Sequence, residues 1–400
     1  MGEYDTELSK IVAELNRAAP SQKTASRGPQ STASLDQLLG FAASRNASDV
    51  LLIAGAPAML RVNGNLAPAS GPLLEAEDVR SLLLPLLEPA QMEELREKKS
   101  VDLGFVRENL GRFRINIHHQ RGTLAASIRL LPARSPSLEW LHLPASLARL
   151  AERRQGLVLV TGPTGCGKTS TLAALIDLVN TRRAAHVVTI EDPVEYQHAN
   201  RSAIIEQIEV GRDTPDFAVT LRSIMRQTPD VILVGEMRDA ETMATVLTAA
   251  ETGHLVLSTL HTIDASKTVE RIIGAFPMAE QHAMRSRLAK SFSYIVSQRL
   301  IPRKDGSGRI AAIEILKSTL RTREYVEKGE GEGKTLLDAM RSGSTEGMQY
   351  FDGEIERLIR EGIVSQDVGL AYATNPGNLR LELSDLASAP EDPLLETTSA

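Results

Sequence analysis

GLVLVTGPTGCGKTSTLAALIDLV, residues 156–179, decides the fold. An apolar, β-branched run enters a glycine-rich loop, and a helical pattern follows. The loop GPTGCGKT (162–169) fits G-x-x-x-x-G-K-[ST], and strand, loop, helix is the setting in which that spacing binds phosphate. Its glycines let backbone N–H groups converge on a β-phosphate, and the helix N-terminus adds partial positive charge. Lys168 supplies a point charge to the β- and γ-phosphates, and the Thr169 hydroxyl suits Mg²⁺. The expected nucleotide-binding residues are therefore Gly162, Pro163, Thr164, Gly165, Cys166, Gly167, Lys168, Thr169 and Ser170, with ATP and Mg²⁺ as ligands. Cys166 reads as a small residue whose backbone matters rather than as a reactive thiol.

Three more apolar runs, HVVTIED (186–192), DVILVGE (230–236) and HLVLSTL (254–260), alternate with helical stretches. Runs buried on both faces indicate a mostly parallel sheet in a doubly wound α/β domain. Each run ends in polar residues. In DVILVGEMRD, Glu236 stands where a carboxylate can orient the water shell of Mg²⁺, whereas Asp230 begins the strand and reads as a cap. TIEDPVEY (189–196) offers Glu191, Asp192 and Glu195 as groups that could orient an attacking water, and spacing does not choose among them. His261, in STLHT, suits either γ-phosphate sensing or a structural role. Four strand ends delivering polar groups to one edge point to an active site more strongly than any one of them.

Upstream, residues 35–134 read as a small α+β domain. A helix and strand (LDQLLGFAASRNASDVLLIAG) lead to a hairpin through Asn63-Gly64, a helix broken at Pro85 and Pro89, and alternating antiparallel strands. Residues 135–155 form a Pro-bearing linker, and 156–383 form the ATPase domain, with a mostly helical pattern from Met278 onward. Residues 1–34 are expected to be a flexible extension with a short helix, and 384–400 an acidic, disordered tail.

The composition excludes several classes. The 400 residues exceed one typical core, so two domains are expected. A net charge of -6 gives no global attraction to nucleic acid or anionic lipid. One cysteine permits neither an internal disulfide nor a four-cysteine zinc site, which suits the cytosol. No apolar run approaches the ~20 residues that span a bilayer.

Arg112, Arg114, Arg121 and Arg129 lie on the alternating strands, and Arg222 and Arg226 are one helical turn apart in LRSIMRQ. Arginines often complete phosphoryl-transfer sites, but a wet sheet face explains any one of these nearly as well.

GPTGCGKT, TIEDPVEY, DVILVGEMRD and TGHLVLSTLHTIDASKTVERIIGAFP, in this order, resemble the type II/IV secretion ATPase superfamily, most closely its PilT-like type IV pilus retraction branch. GRFRINIHHQRG also resembles that family's N-terminal signature, and the match runs from about Leu35 to Asn375. The resemblance implies a PAS-like N-terminal domain, a RecA-like ATPase domain and a homohexameric ring at the inner face of the bacterial inner membrane. It also implies twitching motility as the process served, a pilus platform protein as partner and a paralogous retraction ATPase as a further one. By motif match Glu195 would polarise water, Glu236 would be the Mg²⁺-linked acid, and His261 would take the histidine-box role. Arg114 and Arg129 would reach the nucleotide from the N-terminal domain, with Arg222 and Arg226 as further phosphate-facing candidates. STLRTREYVEKGE (318–330) departs from the family's alanine-, isoleucine- and arginine-rich segment, which keeps an accessory or assembly-direction role as the alternative. A nucleic-acid translocase is a remote second class, disfavoured by the acidic charge and the scarcity of aromatics for base stacking.

Overall fold

The computed structural model describes residues 34–385, except 63, 70 and 133. The N-terminal helix and linker expected before residue 34, the tail beyond 385 and Asn63 of the first hairpin lie outside the described residues. Two compact units emerge: residues 34–103 with 115–128, and residues 104–114 with 129–385.

The first unit opens with α1 (Leu35–Ser44), whose start is fixed by a reciprocal cap between Ser34 and Gln37. Strands β1 (Asp49–Ile53), β2 (Met59–Val62) and β3 (Asn65–Pro68) form an antiparallel meander. Helices α2 (Ala76–Leu83) and α3 (Pro89–Lys98) follow, with Pro85 in the break and Pro89 opening the second, where a missing N–H costs nothing. Strands β4 (Ser100–Arg107), β5 (Gly111–Gln120) and β6 (Thr123–Leu131), whose residues 104–107, 111–114 and 129–131 are counted in the second unit, complete a six-stranded sheet in the order β3-β2-β1-β6-β5-β4. In β5, Phe113, Ile115 and Ile117 are buried while their neighbours are not, the alternation of a sheet with one wet face.

The second unit is built on β7 (Gly156–Thr161), β8 (His186–Glu191), β9 (Ile204–Glu209), β10 (Val231–Val234), β11 (Leu255–Leu260), β12 (Phe292–Pro302) and β13 (Arg309–Lys317), ordered β13-β12-β7-β11-β10-β8-β9. All neighbours pair in parallel except β12 and β13. Helix α4 (Lys168–Arg182) follows β7, and α5 (Phe217–Ile224), α6 (Ala240–Glu251), α7 (Ala265–Gly274) and α8 (Met278–Ser291) link the later strands. Parity divides the core. Leu157, Leu159, Ile190, Ile232 and Val256 pack on one face, whereas Val158, Val160, Val187, Leu233 and Leu257 pack on the other. Each such side chain contributes ~1.5–3 kcal/mol on burial. Every residue of β7, β10 and β11 is buried, so these strands form a stiff frame for whatever their ends carry.

From Met278 the chain is less helical than its pattern suggests, because β12 and β13 lie within it. SFSYIVSQRLIP and RIAAIEILK are rich in β-branched residues and pair over nine positions, which overrides helical propensity. Helices α9 (Leu320–Lys328), α10 (Leu336–Ser342), α11 (Phe351–Arg360), α12 (Gln366–Tyr372) and α13 (Pro376–Glu382) then make up the helical C-terminal part.

Candidate functional site

Strands β7, β11, β10 and β8 run parallel and adjacent, so their carboxyl ends meet at one edge. That edge receives the loops beginning at Gly162, His261, Gly235 and Asp192. Ligands in open α/β sheets bind outside such strand ends.

The phosphate loop turns on Gly162, at φ +146°, where an added Cβ would lie 2.5 Å from both the Gln298 carbonyl oxygen and Cys166 Sγ. Gly167, at φ +93°, is the N-cap of α4, whose first-turn N–H groups thus face the loop. Lys168 Nζ donates to the carbonyls of Gly162 at 2.9 Å and Pro163 at 3.1 Å. Burial pulls its ammonium below the usual lysine range, opposed by charge on Cys166, Glu236 and Glu195. Burial likewise pushes the Cys166 thiol up, in keeping with an unreactive loop residue.

A polar chain runs along the edge. Lys168 Nζ lies 3.4 Å from His261 Nδ1, and His261 Nε2 lies 3.5 Å from Glu236 Oε2. Glu236 is ion-paired with Arg238, whose guanidinium also reaches Asp192 Oδ2 at 3.5 Å. One cation thus joins the ends of β10 and β8. Asp239, next in sequence, caps α6 by accepting the Thr242 N–H at 2.8 Å, which sets the exit angle of this loop.

The three carboxylates after β8 part company. Glu191 is buried; it accepts from Thr189 Oγ1 at 2.7 Å and Gln207 Nε2 at 3.2 Å, and burial pushes its carboxyl up. Asp192 pairs with Arg238. Glu195 is half-buried, with its charge felt at Lys168. The adjacent Tyr196 places its phenol oxygen 2.8 Å from Ser170 Oγ, so the loop is hinged to the first turn of α4. Asp230, at the other end of β10, accepts the His186 N–H at 2.8 Å and is a strand cap.

Of the arginines, Arg222 is ion-paired with Glu241 on α6, and Arg226 is exposed just past α5. Arg114 is half-buried on β5 and Arg129 exposed on β6, both within the second unit. Sequence reasoning missed Arg238, although a cation two residues after an acid at a strand end was visible in VGEMRD. It also missed Tyr196 as the anchor of Ser170, which no spacing rule signals.

Gly165 and Gly167, at φ +77° and +93°, have open space where a Cβ would stand, which lets a phosphate approach the loop backbone closely. Thr169 and Glu236 offer a hydroxyl and a carboxylate, hard oxygen donors that fit Mg²⁺, although the described residues contain no His/Cys/Asp/Glu cluster able to hold a metal alone. No helix among them is long and apolar enough to cross a membrane.

A family model described as type II/IV secretion system protein matches residues 42–368. The chain is 40% identical over 344 residues to the type IV pilus retractation ATPase PilT of Pseudomonas aeruginosa, covering 86% of this chain and 99% of that one. It is 36% identical over 363 residues to the type IV pilus ATPase PilU of the same organism, covering 91% and 94%. The crystal structure of the pilus retraction motor PilT with bound ADP superposes with a TM-score of 0.80 at 38% identity, covering 88% of this chain and all of that one. The chain therefore belongs to the type II/IV secretion system protein family and is PilT-like over most of its length.

Proposed function

We propose that this chain is an ATPase motor that drives type IV pilus retraction and twitching motility. The observation that carries the reading is the edge where Lys168, His261, Glu236 and Arg238 form one connected chain beside the phosphate loop. The similarity to pilus retraction ATPases supplies the process.

In this reading backbone N–H groups of residues 162–169 and the Lys168 ammonium hold the β- and γ-phosphates. Glu195 is the group that orients and deprotonates the attacking water, since Glu191 is buried and Asp192 is paired with Arg238. Bound between Thr169 and Glu236, partly through water, Mg²⁺ would neutralise phosphate charge. His261, held between Lys168 and Glu236, reports the presence of the γ-phosphate. Arg114, Arg129, Arg222 and Arg226 are the candidates to offset its developing charge, and Arg222 must first leave Glu241.

The limits 35–134 for a PAS-like domain and 156–383 for a RecA-like domain, joined by 135–155, belong to the same proposal. So do a homohexameric ring, a pilus platform protein as partner, a paralogous retraction ATPase beside it and a place at the cytoplasmic face of the inner membrane. The test is pilus behaviour in a strain lacking the chain, complemented by wild type or Lys168→Ala. Accumulated pili and lost twitching, restored only by wild type, support the proposal. Loss of pili altogether makes the chain an assembly motor, and unchanged pili make it an accessory.

A further inference from the structure

Beneath the site a buried carboxylate is tied to two of its strand ends. Glu314 of β13 is Cα-paired with Ser297 of β12 and is 3% exposed. Its Oε1 accepts the Ala265 N–H at 2.8 Å, a first-turn donor of α7, and it is hydrogen-bonded to the Ser297 hydroxyl. Ser297 Oγ receives the Thr161 hydroxyl at 3.0 Å, and Thr161 Oγ1 lies 3.4 Å from Thr268 Oγ1. Thr268 Oγ1 lies 2.6 Å from Thr262 Oγ1. All five side chains are buried. Thr161 directly precedes Gly162 of the phosphate loop, and Thr262 directly follows His261.

We propose that Glu314 is a positioning residue for ATP hydrolysis, fixing the strand ends that carry the phosphate loop and His261 through Ala265 N–H and the hydroxyls of Ser297, Thr161, Thr268 and Thr262. The proposal rests on the hydrolytic reading of the site.

The hydroxyl chain has a direction, because each hydroxyl carries one proton and must accept from one neighbour while donating to the next. With Glu314 ionised, Ser297 donates to the carboxylate and Thr161 to Ser297, while the Thr268 proton lies on the Asp264 carbonyl at 2.7 Å. A protonated Glu314 instead donates to Ser297, Ser297 turns its proton to Thr161, and Thr161 turns its own to Thr268 Oγ1, 3.4 Å away. Charge on Glu314 is therefore read at the root of the phosphate loop, and it strengthens the hydrogen bond that pins the start of α7. Burial holds the Glu314 carboxyl up at about 7, with the Asp264 carboxylate adding to the rise and Arg299 opposing it, so both states are populated near neutrality. Arg299 is itself fixed by the Tyr372 carbonyl at 2.7 Å and the Phe351 ring at 3.8 Å, and Asp352 faces it in turn.

The test is ATP turnover by the full chain, with kcat and KM followed from about pH 6 to about pH 9 in wild type, Glu314→Gln and Ser297→Ala. Glutamine keeps the shape and an acceptor for Ala265 N–H but does not titrate. The expected result for Glu314→Gln is KM within about twofold of wild type, kcat about tenfold lower at pH 8, and loss of the acid limb near pH 7. Ser297→Ala, which cuts the chain beside Glu314, should displace the same limb. Wild-type kcat with an unchanged limb in both variants overturns the proposal, as does a raised KM with unchanged kcat. If Glu314→Gln does not fold, Ser297→Ala decides by the same criterion. Wild-type protein without turnover removes the hydrolytic reading and this proposal with it, whereas variants indistinguishable from an active wild type remove this proposal alone.

Discussion

Tyr196 OH stands 2.8 Å from Ser170 Oγ, joining the acidic loop after β8 to the first turn of the phosphate-loop helix. Tyr196 is the immediate neighbour of Glu195, so this bond sets where the proposed water-orienting carboxylate stands relative to Lys168. Tyr196→Phe removes the bond and leaves a half-buried hydroxyl behind, at a cost of about 1 kcal/mol. We expect a kcat several-fold lower with little change in KM, measured by steady-state ATP turnover. Unchanged kcat would show that the loop is held by other contacts.

Gly162→Ala tests the cradle. The Cys166 thiol can swing away from a new Cβ, but the Gln298 carbonyl is backbone in a paired strand and cannot. With φ at +146° the substitution should cost ~2 kcal/mol of stability. Nucleotide affinity should fall at least tenfold, as titration with a fluorescent nucleotide would report.

Arg238→Ala should release Glu236 and Asp192 together. Its side chain is 62% exposed, so global stability should barely move. We expect kcat to fall roughly tenfold, since both acidic loops lose their shared cation. Comparing Arg238→Lys with Arg238→Ala separates charge from geometry, because Arg238 Nη2 faces both Glu236 and Asp192, and lysine keeps the charge without the planar guanidinium.

Stability should depend on pH through Glu314. Its folded value of about 7 exceeds the unfolded value of 4.5, so the folded chain binds more protons between these limits. The contribution is full below about 4.5 and is lost as pH rises through about 7. Glu314→Gln should therefore gain relative to wild type between pH 5 and pH 8, by on the order of 3 kcal/mol. Denaturant melts at both pH values check the sign, and equal differences would contradict it.

Much of this architecture is legible in the chain because parallel strands announce themselves. β7, β10 and β11 are short, buried throughout and dominated by valine and leucine. The strand-end reading of Lys168, Glu236 and His261 followed from those runs, and the three groups meet in one chain. The bond between Ser170 and Tyr196 escaped notice because its partners stand 26 positions apart, on elements whose orientation no local pattern gives. Glu314 escaped for a similar reason. In RIAAIEILK it resembles any polar residue on an alternating strand, and its partners, Ser297 of β12 and the Ala265 N–H of α7, come from elements far away in sequence. The strands after Met278 were masked by lysine-, glutamate- and alanine-rich neighbours with helical propensity, whereas pairing across the sheet decided their state.

The most direct measurement is ATP hydrolysis by the purified full chain beside Glu195→Gln, with nucleotide binding measured on both. The account predicts that Glu195→Gln binds ATP within about threefold of wild type while its kcat falls by a factor on the order of 100 or more. A Glu195→Gln protein that hydrolyses ATP at the wild-type rate would contradict it.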